Sequence, residues 1–280
     1  MGTLAWSTYV AGPKPVVSET APPGEQGEVW SPTSATLIFG ERDAVLVDAL
    51  LTMDEGRELA DWVAAAGRNL TTIYVTHGHG DHFFGAAAVL EHFPQARVVA
   101  TPGVAEHMRE QLSDQWLDGF WRKGFPDQIA QRPPMAEPLA GHVIDLEGEQ
   151  LVAVELGHTD TDGTTALHVP SLGLVAAGDA VYNNVHPFLA EAGDGGIQRW
   201  CDALDTIDAL RPSVVIAGHK PDGADDSPGN VEETRRYLQE FDAAAQRTGN
   251  AQDLYQAMIE RYPDRINRSV AWNNAHAVKS

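Results

Sequence analysis

Short apolar runs recur along this chain, and between them apolar residues repeat at helical spacing. Ser34 to Phe39 and Asp43 to Asp48 read as paired strands, with Gly40, Glu41 and Arg42 in the turn. Leu59, Trp62 and Val63 give Asp54 to Ala66 one apolar helical face. Ile73 to Val75 is a short buried strand, and Phe84 to Phe93 is helical. Strand Arg97 to Ala100 and helix Pro102 to Leu112 complete an alternation of strand and helix. A strand-rich block follows at Val143 to Ile144, Leu151 to Leu156, Thr165 to Val169 and Leu174 to Ala177. Helix Gln198 to Leu210, strand Val214 to Ala217 and helices Glu232 to Arg247 and Ala251 to Tyr262 close the pattern. Residues 1–35 read as extended, broken by prolines, with edge strands at Trp6 to Val10 and Val16 to Val17.

Two stretches fit neither period. Trp116 to Phe125 carries four aromatics in ten residues and forms the centre of an insertion over 113–135, read as a lid, a dimer contact or a core extension. Trp272 to His276 has no assignment. The expected organisation is one catalytic domain over 1–230 and a helical extension over 231–280 packed on it.

Charge narrows the function. Nineteen Lys and Arg against 40 Asp and Glu give a net charge of −21 over 280 residues. Residues 231–280 hold seven basic and seven acidic residues, so the whole excess lies in 1–230. Nucleic acid and anionic membrane surfaces are therefore disfavoured as partners, because both are recognised through Lys and Arg. A single cysteine, Cys201, rules out a disulfide within the chain and a cysteine-based zinc site. The start of the chain has neither a basic region nor a long apolar run, so a cytoplasmic location is expected.

The chemistry concentrates in His77-Gly78-His79-Gly80-Asp81-His82, immediately after the apolar strand ending at Val75. Three imidazoles and a carboxylate on one tight loop can converge on a borderline metal ion such as zinc. Four more polar residues stand at the ends of apolar runs. They are Asp48, then His158, Asp179 and His219, the last three each directly after a glycine.

Taken in order, Asp48, the His77 to His82 cluster, His158, Asp179 and His219 resemble the five motifs of the metallo-β-lactamase-fold superfamily of metallohydrolases. The resemblance runs from about Thr33 to His219. It implies an α+β fold, a four-layer αβ/βα sandwich with metals at one edge, carrying C-terminal helices. It further implies two divalent metal ions, zinc by first choice, with iron or manganese as alternatives. His77, His79 and His158 would hold the first metal; Asp81, His82 and His219 the second; Asp179 would bridge both. Asp48 would orient the His loop from behind.

The implied reaction is hydrolysis of a carbonyl-based bond in a small molecule (ester, lactone, thioester or amide) by a hydroxide between the metals. Asp81 would steady that hydroxide and pass its proton to the leaving group. Tyr182, three residues after Asp179, resembles the tyrosine that meets the substrate carbonyl in the acyl-homoserine-lactone lactonase branch. Asp81 and Tyr182 are thus the expected catalytic residues. Phe83, Trp116, Phe120, Trp121, His186 and Lys220 are the expected substrate contacts. A homo-oligomer joined through the aromatic insertion or the C-terminal helices is a further expectation. The alternative on the same fold is a mononuclear iron dioxygenase of the persulfide type. One departure is visible: many hydrolases of this superfamily follow the third-motif His-Thr with Pro-Gly. Here the run is His158-Thr159-Asp160-Thr161-Asp162-Gly163, which adds carboxylates at the rim.

Overall fold

The computed structural model describes residues 3–18, 20–193 and 195–279. Its strands are β1 (Ala5–Ala11), β2 (Lys14–Val16), β3 (Glu28–Trp30), β4 (Thr33–Phe39), β5 (Asp43–Val47), β6 (Asn69–Tyr74), β7 (Arg97–Ala100), β8 (Glu137–Pro138), β9 (Val143–Leu146), β10 (Glu149–Gly157), β11 (Thr164–Val169), β12 (Leu174–Tyr182) and β13 (Val214–His219). The helices are α1 (Met53–Ala65), α2 (Ala86–His92), α3 (Pro102–Gln111), the single turns α4 (Asp114–Trp116) and α5 (Arg122–Gly124), then α6 (Gly196–Ala209), α7 (Gly229–Arg247), α8 (Ala251–Arg261) and α9 (Arg268–Lys279).

Two sheets stack. The first has six strands in the order β1-β4-β5-β6-β7-β8, the second five in the order β13-β12-β11-β10-β9, and β2 pairs β3 separately. Alternation along the strands explains the layers, because successive side chains point to opposite faces. On β5, Val45 and Val47 point between the sheets, where they meet Leu151, Leu167 and Ile216. Ala44 and Leu46 point the other way, onto Leu59 and Val63 of α1, Val89 of α2 and Met108 of α3. On β12, Ala176 faces between the sheets, whereas Val175 and Ala177 face Trp200 and Leu204 of α6, Leu238 and Phe241 of α7 and Met258 of α8. Both faces of the central strands are thus apolar, which is why they read as unbroken runs rather than alternations. The result is an α+β sandwich with helices outside each sheet.

The hairpin, the His-loop strand and the late helices fall close to their sequence-predicted places. Three features do not. Strand β12 continues through Asp179 to Tyr182, its register with β13 slipping at Gly178. The aromatic insertion is helical but distorted into a π-turn over Leu117–Trp121. Residues 268–279 form α9, whose inner face is Ser269, Ala271, Asn274 and Ala275. Among the described residues, no helix is long and apolar enough to cross a membrane.

Candidate metal centre

The site lies where the two sheets meet. Ser34 of β4 donates its hydroxyl to the Ala217 carbonyl of β13 at 2.5 Å, and His219 Nδ1 donates to the Pro32 carbonyl at 2.9 Å. The loop leaving β6 turns back over this edge and closes in a 3-10 turn at Gly80–His82. Two glycines make room. Gly178 has φ 52°, and a side chain there would collide with Thr76 Oγ1. A Cβ on Gly218 would lie 2.1 Å from Asp179 Oδ1, so β13 can approach the carboxylate only as glycine.

His77, His79, Asp81, His82, Asp179 and His219 are all buried and all meet here. Asp179 Oδ1 is 3.1 Å from His82 Nε2, and its Oδ2 is 3.0 Å from His219 Nε2. Asp81 Oδ2 lies 3.5 Å from His219 Nε2 and 3.7 Å from His82 Nε2. Asp48 stands behind. Its Oδ1 accepts the Thr76 amide at 2.9 Å, and its Oδ2 accepts the Thr76 hydroxyl at 2.8 Å and faces His82 Nδ1 at 2.9 Å.

These partners fix which ring nitrogen is bare. A carbonyl or carboxylate oxygen can only accept, so His82 and His219 carry their protons on Nδ1 and turn Nε2 inward. The Thr76 hydroxyl donates to Asp48, so its oxygen accepts from His77 Nδ1 at 3.1 Å, leaving His77 Nε2 free as well. His77 Nε2, His82 Nε2 and Asp179 Oδ1 are buried without a hydrogen-bond partner. Unpartnered buried polar atoms are rare and point to a missing ligand or ion. Two sets of donors, His77 with His82 and Asp179, and Asp81 with His82 and His219, lie within 4.8 Å of one another. Imidazole nitrogens and carboxylate oxygens so arranged fit divalent metal ions.

The imidazoles shift in opposite directions: burial opposes charge on each, yet Asp160 raises His79, and Asp179 with Asp81 raises His82 and His219. Burial, reinforced by the adjacent His82 ring, pushes His77 down to about 4, so it is a neutral lone-pair donor. Burial opposes charge on Asp179, yet the imidazoles of His219 and His82 hold its carboxyl well below the usual carboxylate range.

The third-motif histidine, His158, is buried, with Nδ1 2.6 Å from Asp162 Oδ1 and Nε2 without a hydrogen-bond partner. Asp160 of the same loop pairs with the first two histidines: its Oδ2 is 2.7 Å from His79 Nδ1 and 3.5 Å from His77 Nε2.

A cavity of about 250 Å³ opens directly over these groups, with His79, Asp81, Asp179, Tyr182 and His219 on its floor. Trp116, Phe120 and Trp121 of the insertion and His186 line it. Tyr182 donates its hydroxyl to Asp179 Oδ2 at 2.5 Å and stacks on His219. His186 Nδ1 is 2.8 Å from the Tyr237 hydroxyl.

Two expected contacts are elsewhere. Phe83 is wholly buried against Phe84 in the core beneath the loop, because the 3-10 turn points its side chain inward. Lys220 is buried and bonds Asp226 at 2.5 Å, since the chain turns away after β13. Phe188, in the loop after β12, also lines the cavity, whereas other wall residues were not legible beforehand: Trp30 of β3, Glu191 further along the loop after β12, and Val270 and Asn273 of α9. Glu191 Oε1 lies 3.4 Å from His79 Nε2, and its Oε2 accepts the Thr161 hydroxyl at 2.7 Å. None of these wall residues belongs to a motif, and they come from three separate parts of the chain.

Comparison with known proteins supports the fold. No curated protein matches the sequence. Among solved structures, a metallo-beta-lactamase family protein from Thermus thermophilus is 21% identical, with a TM-score of 0.63 over 97% of this chain and 91% of its own. A metallo-beta-lactamase from Pontibacter korlensis is 20% identical, with a TM-score of 0.59 over 77% of this chain and 90% of its own. The DIM-1 metallo-beta-lactamase is 16% identical, with a TM-score of 0.56 over 75% of this chain and 88% of its own. At these identities the likeness is one of fold. The model of the Metallo-beta-lactamase superfamily matches residues 29–219, from strand β3 through His219, and the chain belongs to that superfamily.

Proposed function

We propose that this protein is a metal-dependent hydrolase with a dinuclear centre, cleaving an ester, lactone, thioester or amide bond of a small, largely uncharged molecule. The observation that carries the reading is the placement of Asp179 between His82 and His219, at 3.1 and 3.0 Å, on the floor of an aromatic-walled cavity. His77, His79 and His158 would hold one metal, Asp81, His82 and His219 the other, with Asp179 shared. Metals so held supply a water acidified to near-neutral pKa and an electrophile for a carbonyl oxygen.

The chain's own groups account for the remaining steps. Asp81 lies at the cavity floor with one oxygen held by the Trp30 indole, so it can take a proton from the attacking water and return it to the leaving group. Burial, with Asp179 alongside, raises the Tyr182 hydroxyl well above its usual range, so it stays protonated and, by turning its one O–H from Asp179 to the substrate, would orient a carbonyl. Trp30, Trp116, Phe120, Trp121 and Phe188 exclude water and receive the apolar part of the substrate. Among the described residues no lysine or arginine lines the cavity, which favours an uncharged substrate over a phosphate or polycarboxylate. The second donor set, Asp81 with His82 and His219, supports two-metal hydrolysis over a single-iron oxygenase.

The test is a hydrolysis panel of lactones, thioesters, β-lactams, aryl esters and phosphate esters on protein of measured metal content. Turnover of uncharged carbonyl substrates, abolished by chelation and by Asp179→Ala, is expected. Inactivity across the panel, with oxygen uptake on a persulfide, would replace hydrolysis with the dioxygenase reading.

A further inference from the structure

A histidine that gives one ring nitrogen to a metal needs a partner for the other, because that partner fixes where the ring proton sits. For His77, His82, His158 and His219 the partners are Thr76, Asp48, Asp162 and the Pro32 carbonyl. His79 is served from outside the motifs. We propose that Glu191, in the loop after β12, is the positioning residue that holds His79 for the first metal.

Three observations carry this. The first is the orientation of the ring. His79 Nδ1 and the bare Nε2 of His77 both lie close to Asp160 Oδ2, at 2.7 and 3.5 Å, so Nδ1 is the nitrogen turned to the first metal position. His79 Nε2 points the other way, to Glu191 Oε1 at 3.4 Å. A carboxylate can only accept, so Glu191 keeps the proton on Nε2 and leaves the lone pair on Nδ1. The second is the anchoring of Glu191 itself. Its Oε2 accepts the Thr161 hydroxyl at 2.7 Å, and Thr161 stands three residues after His158 in the loop between β10 and β11. One carboxylate thus ties together the loops that carry two ligands of the same metal. The third is packing. Phe188, three residues before Glu191, meets the His79 ring at 5.6 Å and 86°, and His107 of α3 meets it at 5.3 Å and 66°.

His79, His107 and Glu191 also have donor atoms within 4.8 Å of one another. A neutral imidazole has only one lone pair, however, and that of His79 faces the first metal position. A brace through Nε2–H therefore suits Glu191 better than a place in a third metal site. Because Glu191 also lines the cavity, the wall that meets the substrate and the first metal position share a side chain.

The inference rests on the metal centre proposed above but not on hydrolysis. The experiment measures the stepwise zinc affinities of the purified full chain by chelator competition. Folding is checked by circular dichroism, and the ring N–H signals of the zinc-loaded protein are followed by nitrogen-15 NMR. Glu191→Ala should weaken one of the two zinc steps about 10- to 100-fold and leave the other as in wild type. The Nε2 proton of His79, protected from exchange in wild type, should be lost to exchange in that variant. Glu191→Gln keeps an accepting oxygen and should restore most of the affinity and the protected proton. Wild-type affinity at both steps in Glu191→Ala would overturn the proposal, as would an unchanged His79 proton signal. A third ion per chain, lost in His107→Gln, would overturn it by making Glu191 a ligand. If Glu191→Ala does not fold, Glu191→Asp, one methylene too short to reach His79 and Thr161 together, is read against the same outcomes. A wild-type chain that binds no zinc would remove the metal centre itself, a result distinct from these.

Discussion

Trp30 Nε1 donates to Asp81 Oδ2 at 3.0 Å, so one residue both walls the cavity and holds a carboxylate at its floor. The indole is fixed in turn by edge contacts with Trp121 at 5.2 Å and Phe125 at 5.6 Å. A hydrogen bond to a charged group is worth roughly 1.5–3 kcal/mol, or about ten- to a hundredfold in rate where it acts in the transition state. Trp30→Phe keeps a ring and removes the donor. Its kcat/KM should fall by that factor at unchanged metal content. Equal turnover at full metal loading would leave Asp81 independent of the indole.

Asp48 takes three hydrogen bonds in a buried setting, two from Thr76 and one from His82. Loss of an outer carboxylate of this kind typically costs about 10- to 100-fold in metal affinity. Asp48→Asn should show that loss in a chelator competition. Asp48→Ala should in addition lower unfolding stability by about 3–5 kcal/mol, because buried partners are left unpaired. A variant with wild-type metal affinity would remove Asp48 from the support of the loop.

The insertion divides into a solvent-facing residue and an anchor. Phe120 is 42% exposed at the cavity mouth, whereas Trp121 is 3% exposed and donates to Gln111 at 2.8 Å. Phe120→Ala should raise KM for substrates with apolar groups and leave the melting temperature nearly unchanged. Trp121→Ala should cost about 3–5 kcal/mol of stability, the usual range for emptying a large core site. Thermal melts alongside steady-state kinetics separate the two effects. A large stability loss in Phe120→Ala would contradict its position.

His186 gives a pH dependence. Burial, with Arg265 and Arg268 nearby, lowers its imidazole to about 3. A base whose folded pKa lies below the unfolded value of 6.5 contributes full stability above pH 6.5 and loses it as pH falls towards 3. Between pH 7 and 5 the loss amounts to about 2 kcal/mol. In His186→Gln this part of the acid-side decline should vanish in urea unfolding series at the two pH values. An identical decline in both proteins would place the titrating group elsewhere.

The legible part of the site was the part tied to strand ends. Asp48, the His77 loop, Asp179 and His219 each follow an apolar run, and a run fixes where the next polar residue emerges. The pairing of Asp160 with His77 and His79 was not legible, because Asp160 stands in a short polar loop with no apolar run to place it. The turn closed by Thr159 N and the Thr161 carbonyl sets its position. Lys220 and Phe83 misled for a related reason: each is adjacent in sequence to a residue of the cluster, but Phe83 packs on Phe84 in the core and Lys220 pairs with Asp226. Helix α9 escaped the periodicity because its buried face is built from Ser269, Ala271, Asn274 and Ala275, which carry little apolar signal.

That face has one consequence for the site. Asn274 accepts the Leu189 amide at 2.8 Å and donates to the Pro187 carbonyl at 2.7 Å, gripping Phe188 from both sides. Val270 and Asn273, on the same helix, reach the cavity directly. The reactive floor and the surface that sorts molecules above it are therefore encoded in separate stretches of the chain. Natural variation or laboratory selection confined to the last helix can reshape the chamber while every donor at its floor stays as it is.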